Sequence, residues 1–299
     1  MRIGIIGVGK VGSAFLTACQ ATAALQIVGV QAGRTAAAAA QVQQHYDVPV
    51  CATGAEVLLA ADVLLLTVPD SQIAAVAQTL ANELPTLAAS EPLAQKVCLH
   101  CSGSLDLEAL APLAALGVHC GSLHPLQSFT ASGAEFNGIG MAVDGDAAAQ
   151  RAATTIAVAL AARPFHVPAS ERRAYHAAAC FCSNYLVTVT AIAQQLMARW
   201  TDDEAAALQI LLPLLDGTVK NLHQVQQARA ALTGPIARGD SGTVAGHLAV
   251  LPEYLQQAYR ELGLQTVPLA YANGSIDAAA AKTLQGLLKG QAAKEQNNG

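Results

Sequence analysis

The first twelve residues, MRIGIIGVGKVG, restrict the fold more than any other stretch of the chain. Ile3, Ile5 and Ile6 form a short apolar run of the kind that makes a buried parallel strand. Gly7, Gly9 and Gly12 come next in the spacing G-x-G-x-x-G, with Val8, Lys10 and Val11 between them, and Ser13–Ala24 reads as a helix. Each glycine has its own cause. Gly7 permits the tight turn, Gly9 lets backbone approach a pyrophosphate, and Gly12 lets helix and strand pack closely. The N–H groups that open the helix have no partner within it and face the phosphates. Strand, glycine turn and helix in this order predict a dinucleotide site on Gly7–Gly12 in a doubly wound α/β domain.

Leu25–Val30 reads as the second strand, and the residues after it bear on the choice of dinucleotide. A site that prefers NAD places an acidic residue about 20 positions after the glycines to hold the ribose hydroxyls. Here the residues are Gln31, Ala32, Gly33, Arg34 and Thr35, with no carboxylate. The fixed cation of Arg34 suits a phosphate instead, so the expected cofactor is NADP, as NADPH, with NAD as the alternative.

The 299 residues are enough for two domains, and a 53% apolar content provides a large core. The formal charge of −5, with no basic block, argues against nucleic acid as a partner. No uninterrupted apolar run reaches the ~18 residues of a membrane span. The longest, around Val63–Val68, is cut by Asp62 and Pro69. A strand that starts at residue 2 leaves no room for a signal peptide, so a cytoplasmic chain without a membrane partner is expected. Seven cysteines, an odd number, read as buried reduced thiols. Cys98 and Cys101 form a C-x-x-C near His100, His119, Cys120 and His124. Val97–His100 nevertheless reads as a strand, which sends Cys98 and Leu99 to opposite faces, and no metal is expected.

Further along, Ala36–Tyr46 reads as a helix, Val48–Cys51 as a short strand and Val63–Val68 as a buried strand. That strand ends in Thr67, Val68, Pro69 and Asp70 before a helix over Ser71–Leu84. Ends of this kind face the ligand crevice of a doubly wound sheet. Asp70 or Ser71 can also simply cap the helix. Lys96–His100 runs into Cys101, Ser102, Gly103 and Ser104, small residues that suit a nicotinamide or, equally, a capped turn before a helix over Asp106–Leu116. Val118–Leu123 delivers His124, held stiffly before Pro125 and able to move a proton near neutral pH, or satisfied by backbone in the core. Gly140–Val143, a helix over Asp146–Ala162 and Pro164–Val167 complete the α/β layer.

Beyond Pro168 the pattern is helical, so a Rossmann-type domain is expected over residues 1–168, an all-helical domain over 169–290 and a frayed tail over 291–299. Ser170 can cap one long apolar helix, Glu171–Trp200. His176, Cys180, Ser183 and Asn184 share a stripe on it that needs polar partners, in a cleft, at a subunit interface or within a helix network. Two helical runs span Asp202–Ala231. LTGPIARGDS then forms a shaped loop over Thr233–Asp240 that anchors a substrate or a facing subunit, or holds a local Arg238–Asp240 pair. His247 lies on the next helix, and Ser275 is placed to cap the last.

The motifs GVGKVG, HCSGS, SLHPLQSF, YHAAACFCSN and LTGPIARGDSGTVAGHL resemble the Rossmann-like proteins with a helical C-terminal domain of unknown function (DUF2520-type). The layout is more distantly similar to pyrroline-5-carboxylate reductases, deazaflavin-dependent NADP reductases, prephenate dehydrogenases, and hydroxyisobutyrate and 6-phosphogluconate dehydrogenases. The resemblance implies a nicotinamide domain, a dimerising helical domain and an active site between them. Arg34 and Thr35 match the pair of NADP-binding members. Thr67, Val68 and Pro69 match the strand end that meets the cofactor riboses. His124-Pro125 looks like the His-Pro of prephenate dehydrogenases, which also carry a functional histidine on the helix of His176. Asn184 resembles the helix asparagine of hydroxyacid dehydrogenases, but their catalytic lysine one turn earlier is replaced by Cys180 and Phe181.

Together these features predict an NADP-dependent oxidoreductase for a small carbonyl, imine or hydroxy substrate. His176 and then His124 are the expected proton donors, and Ser102 and Asn184 the polar guides. The helical domain's apolar faces imply a homodimer. A non-catalytic NADP-binding sensor or scaffold is the alternative.

Overall fold

Alternation along the central strands decides which face of the sheet each side chain supplies. A computed structural model describes residues 1–33, 36–87, 92–130 and 135–290. Strands β1 (Arg2–Ile6), β2 (Gln26–Gln31), β3 (Val63–Leu66), β4 (Val97–His100), β5 (His119–Pro125), β6 (Gly140–Gly145) and β7 (Arg163–His166) form one sheet. Its order is β2-β1-β3-β4-β5-β6-β7. Ile3, Ile5, Val63, Leu65 and Leu99 enter the core on one face, and Ile6, Leu64, Leu66 and Cys98 the core on the other. Each fully buried Ile or Leu contributes about 1.5–3 kcal/mol. The near-continuous apolar runs of β1 and β3 result from this cover on both faces.

The first five strands are parallel, so their carboxyl ends share one edge. The order reverses between β1, whose next strand lies on one side, and β3 on the other, and a crevice opens at such a reversal. β6 then runs antiparallel to β5, with His124 opposite Ala142 and Ser122 opposite Asp144, and β7 runs parallel to β6.

The helices of this layer are α1 (Lys10–Gln20), α2 (Ala36–Tyr46), α3 (Gly54–Ala60), α4 (Asp70–Leu87), α5 (Ala111–Ala114) and α6 (Ala147–Ala159). Asp146 starts α6 by accepting from the N–H groups of Ala148 and Ala149. Hydrophobic periodicity passes over α3, although its signal is present. Thr53 and Glu56 form a capping box, each side chain accepting from the other's backbone N–H. The expected strand over Val48–Cys51 is reduced to a single bridge between Val30 and Val50. The expected helix over Asp106–Leu116 is a 3-10 turn, Leu107–Leu110, followed by α5, because Asp106 caps a tight first turn and Gly117 ends the segment at φ 86°.

By contact density the chain divides into two compact units, Met1–Val189 and Thr190–Gly299. The first unit includes α7 (Arg172–Cys182) and the start of α8 (Asn184–Met197). The single long helix expected over Glu171–Trp200 is therefore broken at Ser183, whose ψ of −70° closes α7. A second correction concerns the same stretch. Within Ala169–Trp200 an 18-residue window reaches a mean hydropathy of 1.3, so the stretch is long and apolar enough, by length and composition, to cross a membrane. Uninterrupted apolar runs do not show it, because uncharged polar residues such as Ser183, Asn184 and Gln194 break the runs.

The second unit contains α9 (Glu204–His223), α10 (Ser241–Val250), α11 (Glu253–Ala272) and α12 (Ala278–Leu288). Its core gathers Ile236, Val244, Val267, Ala270, Ile276, Leu284 and Leu288. In the Thr233–Asp240 loop, Asp240 caps α10 through the N–H and hydroxyl of Thr243, at 2.9 and 2.6 Å. Asp277, not Ser275, caps α12, because its carboxylate reaches the Ala280 N–H at 2.8 Å. Arg34, Thr35 and the 291–299 tail lie outside the described residues.

Candidate active site

Two clusters lie along the shared carboxyl edge. The first is the glycine turn after β1. Gly7 has φ 98°, and a Cβ there would meet Val68 at 2.7 Å. A Cβ on Gly12 would lie 2.1 Å from the Gly7 carbonyl oxygen, so α1 and β1 touch through backbone. Gly9 differs from both: nothing lies within 4 Å of the position its Cβ would take. It also caps α1 without a side-chain hydrogen bond. Open space thus lies over the turn, where the N–H groups that open α1 have no partner within the helix, the fit that a pyrophosphate needs. Lys10 begins α1, and Val8 and Val11 are half-buried against the core.

Thr67, Val68 and Pro69 border this turn from the end of β3. The Thr67 hydroxyl donates to the carbonyls of Ile6, at 3.2 Å, and Gly7, so it fixes the shape of the turn.

The second cluster is built on the ends of β4 and β5 and on α7. Ser102 is buried. Its hydroxyl donates to Asp70 Oδ2 at 2.6 Å and accepts from the N–H groups of Ser104 and Leu105 at 3.2 and 3.1 Å. These bonds hold the turn together at the position expected of a polar guide. Ser104, half-buried, also donates to Asp70, at 3.0 Å. Asp70 thus ties the start of α4 to the HCSGS turn. His100 lies fully buried beneath, its Nδ1 accepting from the Ser102 N–H at 3.3 Å. Burial first, and the nearby Arg172 cation second, lower its pKa to about 4.

Gly103 is where the histidines meet. A Cβ there would lie 2.8 Å from His124 Cε1 and Nε2 and 2.9 Å from His176 Nδ1. Only a residue without a side chain lets both imidazoles close on the turn. Their ring centroids are 6.2 Å apart. His124 Nδ1 pairs with the Tyr175 hydroxyl at 2.6 Å. Burial, then His176 and Arg172, lower the His124 pKa to about 4, so the ring is neutral at neutral pH. His176 Nδ1 is buried without a hydrogen-bond partner.

Arg172 sets the start of α7. It is 1% exposed, donates to the Ser102 carbonyl at 3.2 Å, and lies 3.7 Å from Asp144 Oδ2. The other oxygen of Asp144 faces His166 at 3.3 Å. Neither Arg172 nor Tyr175 stands out in the sequence by spacing, although both directly flank the stripe that contains His176.

Beside His176 lies a groove of about 320 Å³, lined by Ser104, Arg173, His176, Ala177, Cys180, Phe181 and Tyr185. Asn184 is exposed and is not among the residues that line it. A larger cavity, about 910 Å³, runs along the outer face of α1 past Tyr46 and Phe136. It holds neither histidine of the cluster, and size alone does not make chemistry there. Among the described residues no group of three or more His, Cys, Asp or Glu is arranged to hold a metal. The thiols of Cys98 and Cys101 are pushed up by burial, which suits inert core residues.

Two family models match the chain: a Rossmann-like domain over residues 1–125, and a domain of unknown function, DUF2520, over residues 139–266. No curated protein sequence matches it. Among solved structures, a candidate NADP oxidoreductase from Bacteroides fragilis is similar at TM-score 0.70 and 23% identity, covering 89% of this chain and 98% of that one. A Thermotoga maritima protein is similar at TM-score 0.66 and 23% identity, over 91% and 99%. A 1-pyrroline-5-carboxylate reductase from Streptococcus pyogenes is similar at TM-score 0.62 and 16% identity, over 95% and 98%. At these identities the likeness shows the fold. The two family models agree with the architecture, a Rossmann-like domain followed by the DUF2520 domain of unknown function.

Proposed function

We propose that the chain is an NADP-dependent oxidoreductase acting on a small carbonyl, imine or hydroxy compound. The observation that carries this reading is the convergence of His124 and His176 on Gly103, on the same sheet edge as the open glycine turn. From β1 to β5 that edge crosses three strand spacings, about 14 Å, so one extended dinucleotide can address both clusters. The names of the Bacteroides and Streptococcus proteins favour the same chemistry.

A reduced nicotinamide bound there would supply the hydride. The chain's own residues position the substrate and supply the proton. His176, on the groove, is the donor to the oxygen or nitrogen of the reduced product. His124, neutral and fixed by Tyr175, orients the reacting group by a hydrogen bond. Arg34 selects the extra phosphate of NADP. Large apolar side chains left exposed on the second unit, Leu214 at 71% and Val250 at 74%, favour a homodimer through the helical part.

Calorimetry tests the cofactor. NADPH should bind, and Arg34→Ala should weaken it by about tenfold or more while NADH changes little. No uptake of either nucleotide by folded protein would remove the reading. The second reading, a non-catalytic NADP sensor, is favoured by the absence of lysine from the groove lining, where Cys180 and Phe181 stand. Turnover separates the two. An enzyme loses it in His176→Gln with nucleotide affinity intact, and a sensor consumes no NADPH with any carbonyl or imine.

A further inference from the structure

The groove beside His176 is polar at one end and apolar at the other. Arg173, His176, Ala177, Cys180 and Phe181 are spaced i, i+3, i+4, i+7 and i+8 on α7, so one helix face supplies most of its wall. Along the helix axis the backbone positions of Arg173 and Phe181 are about 12 Å apart. Phe181 stacks edge-on with Tyr185, ring centroids 5.1 Å apart, and both rings are more than half exposed. His176 lies between the two ends. Ser104, which lines the groove, shares Asp70 Oδ2 with Ser102, at 3.0 and 2.6 Å. Arg173 brings positive charge to the groove wall from the first turn of α7, whose N-terminus adds to it.

We infer that the groove takes a small organic acid, with its carboxylate on Arg173, its aryl or branched alkyl tail on Phe181 and Tyr185, and its reacting carbon beside His176. A volume of about 320 Å³ limits the ligand to a compact molecule of one ring or a short branched chain. A guanidinium fork pairs with a carboxylate through two parallel hydrogen bonds, which an amide of the same shape cannot match. This assignment rests on the oxidoreductase reading for the place of the reacting carbon, but not for the recognition of the acid.

Binding of three isosteric probes tests it: phenylacetate, phenylacetamide and phenethylamine, titrated into the full-length protein with and without saturating NADP. Phenylacetate should bind about tenfold more tightly than the amide, and the amine more weakly still. Arg173→Gln should abolish the preference for the acid, Arg173→Lys should keep part of it, and Phe181→Ala should weaken acid and amide alike. Arg173 is exposed, so the folded state survives its replacement, which an unchanged NADPH affinity would verify. Equal binding of acid and amide, a preference that survives Arg173→Gln, or no binding of any probe at millimolar concentration overturns the assignment. If the acid preference holds while no nicotinamide binds, the oxidoreductase reading falls and the acid site stands. If NADPH binds and the acid preference is absent, the acid site alone falls.

Discussion

The glycine turn and the histidine cluster share one edge of the sheet but are made of different material. The turn is backbone: three glycines, the N–H groups that open α1, and a threonine that braces them. The cluster is side chain, drawn from β4, β5, α4 and α7, with partners up to 70 positions apart in sequence. A site made of backbone depends on what residues lack. One made of side chains depends on several distant segments arriving in register. The first tolerates change poorly at fixed points and holds any ligand of the right shape. The second can be retuned at Arg173 or Phe181 without disturbing the frame.

The largest expected effect breaks the turn. Gly12→Ala should lower stability by about 3 kcal/mol in urea unfolding, because its Cβ would strike the Gly7 carbonyl. Gly9→Ala, in open space, should leave stability nearly unchanged and weaken the dinucleotide. If Gly9→Ala binds NADPH as well as the parent, the turn is not a phosphate cradle.

Acid probes the cluster. His100 and His124 have folded pKa values lowered from 6.5 to about 4, so the unfolded chain takes up protons that the fold refuses. Their contribution is fully present above the unfolded value of 6.5 and is lost as the pH falls toward 4. The loss should approach about 3 kcal/mol per histidine. Urea midpoints between neutral and mildly acid pH would measure it, and His124→Asn should flatten part of the slope. A flat profile in the parent would mean that the rings are protonated in the fold.

Smaller effects sharpen the contrast. Gly103→Ala should cost about 1–2 kcal/mol, less than Gly12→Ala, because imidazole rings can yield where a backbone carbonyl cannot. Thermal melts of the two variants side by side would rank them. Tyr175→Phe should cost about 1 kcal/mol. It should also shift the nitrogen resonances of His124, which a purely space-filling tyrosine would leave in place.

The legibility of the two regions divides along the same line. The glycine spacing, the alternation of Cys98 and Leu99 and the apolar runs of β1 and β3 are local, and the sequence shows them directly. His124 and His176 are visible singly, as a strand end and a helix stripe. Their meeting is not, because it depends on Gly103, which reads as an ordinary turn residue. Arg172 and Tyr175 are hidden for a similar reason: their roles come from β6 and β5, not from neighbours in the chain. Ser102 reads as a polar guide, and nothing near it in sequence predicts that Asp70 accepts from its hydroxyl. The break at Ser183 falls among weak helix formers, Phe181, Cys182, Asn184 and Tyr185, but the helical pattern that resumes from Leu186 hides it.

Strand β7 is four residues long and ends level with Val143, and the chain reaches Arg172 through a single 3-10 turn at Ala169–Glu171. That short bridge works as a phase setting. One residue inserted or removed there would spin everything downstream by about 100°. The imidazole of His176 would then face away from Gly103, and the buried arginine would lose its seat. The tolerance of this protein to length changes should thus be narrow at a surface link that carries none of the site residues.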